Sequence, residues 1–408
     1  MTRDGQRETA LTPLSRSHAP VSSLYVHVPF CFHKCHYCDF YSFVDNRDRQ
    51  SAFVDALSIE LAALAPHAGP LRTIFIGGGT PTLLRPDLLA ALLDAIADRF
   101  DGCTGEFTVE CNPETATPEL MAGLVAGGVN RLSVGAQSFN TGHLKTLERW
   151  HDPESVPRAL ELARDAGIDR RSLDLIFAVP GQTEQEWTAD LDIACRLPVD
   201  HMSCYALTYE QGTAMTTRLE RGDFQPATED HEARLYELTV DRLRSAGFER
   251  YEVSNFARPN AGGGPSAHNL AYWRGEQWLA AGPSASAHVG GHRYRNVPHL
   301  TEWMQGVTSG DGTSPIIDLE WHDPMRALAE RIMMGLRISE GLETESLLEA
   351  AAECVAKDAL QAALQRESDA GWLVVDERTR LTERGYLMCD GIASRLMAAL
   401  ESAKENAR

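Results

Sequence analysis

From Ser23 onward, short apolar runs rich in β-branched residues alternate with longer stretches in which apolar residues recur every three or four positions. The first kind reads as strand and the second as amphipathic helix. SLYVHV opens the series as a strand. Phe53, Leu57 and Leu61 follow at four-residue spacing, with Val54 and Ile59 beside them, and predict a helix. RTIFIGGG then reads as strand, Pro86 to Phe100 as helix, EFTVECN as strand, Thr117 to Ala126 as helix and RLSVGAQ as strand. Helical patterning to about Ala166 leads into the strand SLDLIFAV, a helix from Glu184 to Leu197 and the strand HMSCYALT.

Strands separated by helices imply parallel pairing through right-handed crossovers, and these six units are two short of a closed eight-stranded barrel. The expected fold is therefore α/β, an incomplete (β/α)6 TIM-like barrel with a lateral opening and with functional groups at the C-terminal ends of its strands. Several residues obey that rule. Gly77, Gly78, Gly79 and Thr80 follow RTIFI, Glu110 ends EFTVE and Gln137 ends RLSVGAQ, while Asp174 lies early in its own strand. The glycine run lets backbone approach a ligand closely, and Pro81 stiffens the exit.

Beyond the last barrel strand, Glu210 to Asp230 is polar and irregular, Glu232 to Ala246 reads as a helix and FERYEVSNFA as a strand. ARPNAGGGPSAHNLAYW, rich in Gly and Pro, reads as a loop carrying His268, Asn269, Tyr272 and Trp273. From about Asp318 the chain is mainly helical with a short hairpin in GWLVVDERTRL, which suggests a smaller winged-helix-like C-terminal domain. The expected organisation is a disordered tail over 1–20, a barrel over 21–210, an extension with HNLAYW over 211–315 and the C-terminal domain over 316–408.

The 408 residues suffice for these parts, and 43% hydrophobic content is ordinary for a globular chain. With 38 basic against 58 acidic residues, the formal charge of −20 argues against nucleic acid or an anionic membrane surface as partner. No apolar run approaches the roughly 20 residues of a membrane span, and the N-terminal stretch lacks the apolar centre of a signal peptide. The expectation is a cytoplasmic protein that is not itself a membrane protein.

Three of the nine cysteines, Cys31, Cys35 and Cys38, fall in CxxxCxxC spacing within YVHVPFCFHKCHYCDF. Three thiolates on one tight loop can hold three irons of a [4Fe–4S] cubane and leave the fourth iron open to a non-protein ligand. Zinc is the alternative, with His27, His33 or His36 completing a tetrahedron. Zinc loops, however, usually draw a second pair from a distant segment, and there is no second CxxC. The other six cysteines are scattered and the total is odd, as for reduced thiols of a cytosolic protein.

CxxxCxxC, preceded by YxHxPF and followed by GGGTP, resembles the radical SAM superfamily. With RLSVGAQSF, DLIFAVPGQT and HNLAYW, most of the chain is similar to the oxygen-independent coproporphyrinogen III oxidase family and its heme-chaperone branch, HemW. The resemblance implies that Cys31, Cys35 and Cys38 bind the cluster. It also implies that Gly78, Gly79 and Thr80 meet the amino group of S-adenosylmethionine, and that Tyr25, Glu110, Gln137, Arg149 and Asp174 contact its other parts, with Tyr37 and Ala206 as further contacts. HNxxYW marks the chaperone branch and implies His268 as axial ligand to heme, flanked by Asn269, Tyr272 and Trp273. His288 and His292 lie in a small-residue turn and are not assigned. The family's oxidases continue the cysteine motif with a further cysteine where Phe40 stands here, and that departure pushes the expectation toward heme binding and transfer to heme-acceptor proteins, some of them membrane-associated. The alternative is radical oxidative decarboxylation of coproporphyrinogen III propionates.

Overall fold

Six strands lie side by side in chain order, each parallel to the next: β1 (Val21–Val28), β2 (Ala68–Gly78), β3 (Cys103–Cys111), β4 (Arg131–Gln137), β5 (Arg170–Phe177) and β6 (His201–Ala206). The structure, a computed structural model, describes residues 8–16, 19–100, 102–259 and 263–406. The crossovers carry the helices Gln50–Leu64, Pro86–Phe100, Pro118–Ala126, Ser155–Ala166 and Glu184–Ala194. Their apolar stripes, such as Phe53, Leu57 and Leu61, are buried against Leu24, Val26, Ile74 and Ile76 of the sheet. The apolar residues that these helices cover mark the strands in the sequence, while polar residues such as Glu110, Ser133 and Asp174 alternate with them and face the cavity.

Three short strands extend this sheet. β7 (Glu249–Arg250) and β8 (Asn255–Ala257) form a tight antiparallel hairpin, where one strand was expected over FERYEVSNFA. Tyr251 N–H donates to the Asn255 carbonyl at 3.1 Å and turns the chain. β8 runs antiparallel to β6, while β9 (Leu279–Ala281) lies parallel to β1 on the far edge. The order β7-β8-β6-β5-β4-β3-β2-β1-β9 leaves the two end strands unpaired with each other among the described residues, so the barrel is open.

A second small sheet joins β10 (Ser286–Val289), β11 (His292–Asn296) and β12 (Ile316–Glu320). The C-terminal part has its own apolar core, built from Leu328, Ile332, Leu360, Leu364, Ile392 and Leu396. Its helices Pro324–Gly335, Thr344–Glu353, Lys357–Asp369 and Cys389–Asn406 pack with β13 (Leu342–Glu343), β14 (Leu373–Val375) and β15 (Arg378–Leu381), which pair in the order β13-β15-β14. No described helix is long and apolar enough to cross a membrane.

Two further expectations need correction. Residues 8–16 of the supposed disordered tail are packed: Ala10 N–H donates to the Ser314 carbonyl at 3.0 Å, Ile316 N–H donates to the Glu8 carbonyl at 2.8 Å, and Leu14 is buried in the helix Leu11–Leu14. Residues 1–7, 17 and 18 of that tail, and 260–262 of the Gly/Pro-rich stretch, lie outside the described residues. The HNLAYW segment is a helix, Ala267–Trp273, instead of a loop. Ser266 caps it, accepting from Asn269 N–H at 3.3 Å, a signal that the neighbouring glycines and prolines obscured.

Candidate functional site

The cysteine loop leaves the C-terminal end of β1 and is closed at its base by two backbone bonds, Cys31 N–H to the Phe43 carbonyl and Phe43 N–H to the Pro29 carbonyl, both 3.0 Å. His36 anchors its far side, donating its N–H to the Leu147 carbonyl at 3.3 Å and accepting from Met215 N–H at 2.8 Å. Gly79 and Thr80 dock on the same loop, their N–H groups donating to the carbonyls of Val28 (2.8 Å) and Phe30 (2.7 Å). The loop geometry thus depends on a glycine run about fifty residues away. A Cβ at Gly79 would sit 2.7 Å from the Phe30 carbonyl oxygen, and one at Gly78, where φ is +105°, would sit 2.4 Å from the His27 ring.

Burial pushes the Cys31 thiol up, and pushes the Cys38 thiol up to about 11. Thiols of this kind ionise when a cation takes the thiolate. Among the described residues no three His, Cys, Asp or Glu side chains converge on a single-ion site. The histidines weighed for a zinc tetrahedron have other partners. His27 bridges Tyr25 and the Tyr41 carbonyl, His33 stacks on Trp150 with ring centroids 4.0 Å apart, and His36 lies 3.3 Å from Arg218. Three thiols on one loop without a fourth protein ligand suit a cluster with an open iron.

Cys31, Cys35 and Cys38 open onto one large cavity of about 900 Å³. Tyr25, Tyr37, Gly78, Gly79, Thr80, Glu110, Gln137, Arg149, Asp174 and Ala206 all line it, so every residue expected at the S-adenosylmethionine site faces the same space. Glu110 and Asp174 are enclosed by protein yet open to the cavity, and neither forms an ion pair among the described residues. Burial, with the Asp174 charge second, pushes Glu110 up to about 7, and burial raises Asp174 as well. Glu110 accepts from Gly78 N–H at 3.0 Å, and Asp174, which lies in mid-strand and not early in β5, accepts from the Ser133 hydroxyl at 3.1 Å. Two such carboxylates, which feel Arg131 and Arg149 only from beyond ion-pair distance, fit a cationic ligand.

Gln137 and Arg149 reach the cavity through a distortion. The β4–β5 register shifts between Gly135 and Gln137, and Gln137 itself has φ of 64°. A Cβ at Gly135 would lie 2.7 Å from the Gln137 amide nitrogen and 3.1 Å from an Arg149 nitrogen, so the absent side chain leaves both groups their room. Arg149 donates to the Gly135 carbonyl at 2.9 Å and to Cys35 Sγ at 3.8 Å.

His27 sets the polarity of Tyr25. Its Nε2 lies 2.8 Å from the Tyr41 carbonyl, which only accepts, so Nε2 carries the proton and Nδ1 accepts from the Tyr25 hydroxyl at 2.9 Å. Burial lowers His27 to about 4 and keeps it neutral.

The HNLAYW helix forms another wall of this cavity with His268, Asn269 and Tyr272. Trp273 is not among them: it lines a separate space of about 220 Å³ with Arg331, Ile338 and Glu340, beneath Arg337. His268 is buried, its Nδ1 2.9 Å from the Thr73 hydroxyl and its Nε2 2.9 Å from the Tyr272 hydroxyl, with its ring stacked on Phe75. His288 and His292 lie off the cavity; His288 binds the Glu276 carbonyl and His292 accepts from His322 N–H. Sequence reasoning missed Glu106, Thr73 and Tyr251, whose polar groups hold the helix from distant segments. No local pattern marks them, because each acts through a contact made only on folding.

Comparisons with known proteins place the chain among relatives. The profile of the Radical SAM superfamily matches residues 25–194. Heme chaperone HemW of Mycobacterium tuberculosis is 37% identical over 384 residues, covering 92% of this chain and 94% of the relative. Heme chaperone HemW of Bacillus subtilis is 33% identical over 333 residues, covering 81% of this chain and 86% of the relative. The solved coproporphyrinogen III oxidase (HemN) from Escherichia coli superposes with a TM-score of 0.80 at 22% identity, covering 95% of this chain and 92% of that one, a likeness of fold.

Proposed function

From a chain that belongs to the heme chaperone HemW family of the radical SAM superfamily, we propose a protein that binds heme and delivers it to acceptor proteins while carrying a [4Fe–4S] cluster and S-adenosylmethionine. The observation that carries the reading is the shared cavity, in which the cysteine loop and the HNLAYW helix face one space. Cys31, Cys35 and Cys38 would hold the cluster, and the ten further residues around the glycine run would hold S-adenosylmethionine. When bound, the cluster would supply one-electron reducing chemistry beside that sulfonium. The chain itself supplies the enclosing walls, the carboxylates Glu110 and Asp174, which have no ion-pair partner among the described residues, for a cation, and Tyr25, whose lone pairs are free to accept because its proton is committed to His27.

Heme is the cargo. His268 is proposed as its axial ligand through Nε2, which becomes available when the Tyr272 hydroxyl turns away, while Thr73 keeps the other ring nitrogen and Phe75 the ring plane. Trp273 faces the C-terminal domain and is proposed to fix the end of the helix instead of covering the macrocycle. The acceptors and a cytoplasmic location belong to the same proposal.

The test gives the anaerobically reconstituted protein hemin, then an apo-globin as generic acceptor, and in parallel gives it coproporphyrinogen III with S-adenosylmethionine and a reductant. Saturable hemin binding followed by transfer, without vinyl product, is expected. Vinyl product in the absence of hemin binding would replace this reading with the oxidase.

A further inference from the structure

We infer that Glu106, clamped by Arg170, is the positioning residue of the heme-motif helix, a buried carboxylate on β3 that fixes the backbone of His268. This rests on the reading that His268 serves heme. Glu106 lies 160 residues from Ser266 in sequence. Its Oε1 accepts from the Ser266 hydroxyl at 3.0 Å and from His268 N–H at 3.1 Å, and its Oε2 accepts from Ala267 N–H at 2.9 Å. Arg170 NH2 closes the set, 3.0 Å from Oε2, and donates also to the Pro265 carbonyl at 2.9 Å. Both carboxylate oxygens are therefore filled, three times by the start of one helix and once by a cation.

The arrangement goes beyond ordinary capping. The helix spans only seven residues, too short to hold itself by its own hydrogen bonds. Its first N–H groups are among those a helix cannot satisfy internally, and here a buried anion from another element takes them. The Glu106 side chain has no exposed surface, so an uncompensated charge there would be costly, and Arg170 supplies the compensation. Burial alone would raise this carboxyl, but the Arg131 and Arg170 charges together with the Ala267 and His268 N–H bonds outweigh it and hold Glu106 below its usual range. His268 is itself one of the bonded residues. Glu106 sets where its backbone sits, and Thr73 and Phe75 then set where its ring points.

The test is a pair of measurements on the full chain bearing Glu106→Gln. Amide hydrogen exchange of residues 267–273 should rise by about tenfold or more while the barrel strands keep their protection. A hemin titration should show affinity weakened by about tenfold and a shifted Soret band, with the cluster absorption intact. If Glu106→Gln does not fold, Glu106→Asp keeps the charge and the Ser266 cap but draws the carboxylate back from the helix start by one methylene, and should move both readouts in the same direction by a few-fold. Exchange and hemin spectrum both identical to the parent overturn the inference and leave the heme reading standing. Faster exchange in a protein whose parent binds no hemin overturns the heme reading, and with it the role of Glu106 in heme binding.

Discussion

The Tyr272 hydroxyl lies 2.9 Å from Nε2 of His268 and closes the ring nitrogen that Thr73 leaves open. The two side chains sit one helical turn apart on the wall of the large cavity. Iron reaching the ligand proposed here would have to displace this bond. Tyr272→Phe is therefore predicted to tighten hemin binding by about fivefold, the worth of a neutral hydrogen bond of about 1 kcal/mol. A Soret titration reads it. Weaker binding in the variant would assign Tyr272 to contact with the porphyrin instead.

The cluster prediction follows from ligand number. Cys31→Ala, Cys35→Ala and Cys38→Ala should each abolish the brown absorption of the reconstituted protein, because no further cysteine lies on that loop to substitute. Iron and labile sulfide analysis checks the result. A full cluster in any one variant would refute the ligand assignment.

Gly78→Ala is predicted to weaken S-adenosylmethionine binding by more than about tenfold. The added Cβ meets the His27 ring at 2.4 Å, and a φ of +105° is strained for any side chain. The turn would shift, taking with it the Gly78 N–H that orients Glu110. Equilibrium dialysis with labelled ligand measures the loss. Gly123→Ala, where a Cβ meets nothing within 4 Å, is the control and should bind as the parent does.

These residues also show what the sequence could and could not tell. Cysteine spacing, the glycine run and the strand ends are local patterns, and the structure gathers all of them around one cavity. The six parallel strands were readable because each carries a cluster of apolar residues that the crossover helices cover, even though residues such as Glu110, Ser133 and Asp174 turn polar groups to the cavity. The hairpin at Tyr251, the helix at Ala267 and the packed segment 8–16 were not readable, since each depends on partners far along the chain: β6, Glu106 and Ser314 respectively. Trp273 shows the limit of a motif, for the helical turn sends it to a different space from its neighbour Tyr272.

Glu106 gives a pH dependence of definite sign. Its carboxyl is held below the ordinary glutamate value in the folded protein, with burial opposing and the Arg131 and Arg170 charges prevailing together with the Ala267 and His268 N–H bonds. A depressed carboxyl stabilises the fold above its unfolded pKa, and that contribution is lost as pH falls through the folded one. The stability gap between the parent and Glu106→Gln should therefore be largest above about pH 5, of order 3 kcal/mol for a broken buried pair, and shrink below about pH 4. Denaturant titrations across that range measure it, and a gap independent of pH would contradict the ion pair as its source.

The whole functional reading turns on heme entering the cavity shared by the cysteine loop and the HNLAYW helix and being held there by His268. An anaerobic hemin titration of the reconstituted protein beside its His268→Ala variant, read by the Soret band, tests this most directly. Saturable binding in the parent and a weakened, spectrally altered complex in the variant are predicted. Equal affinity and identical spectra in the two proteins would contradict it.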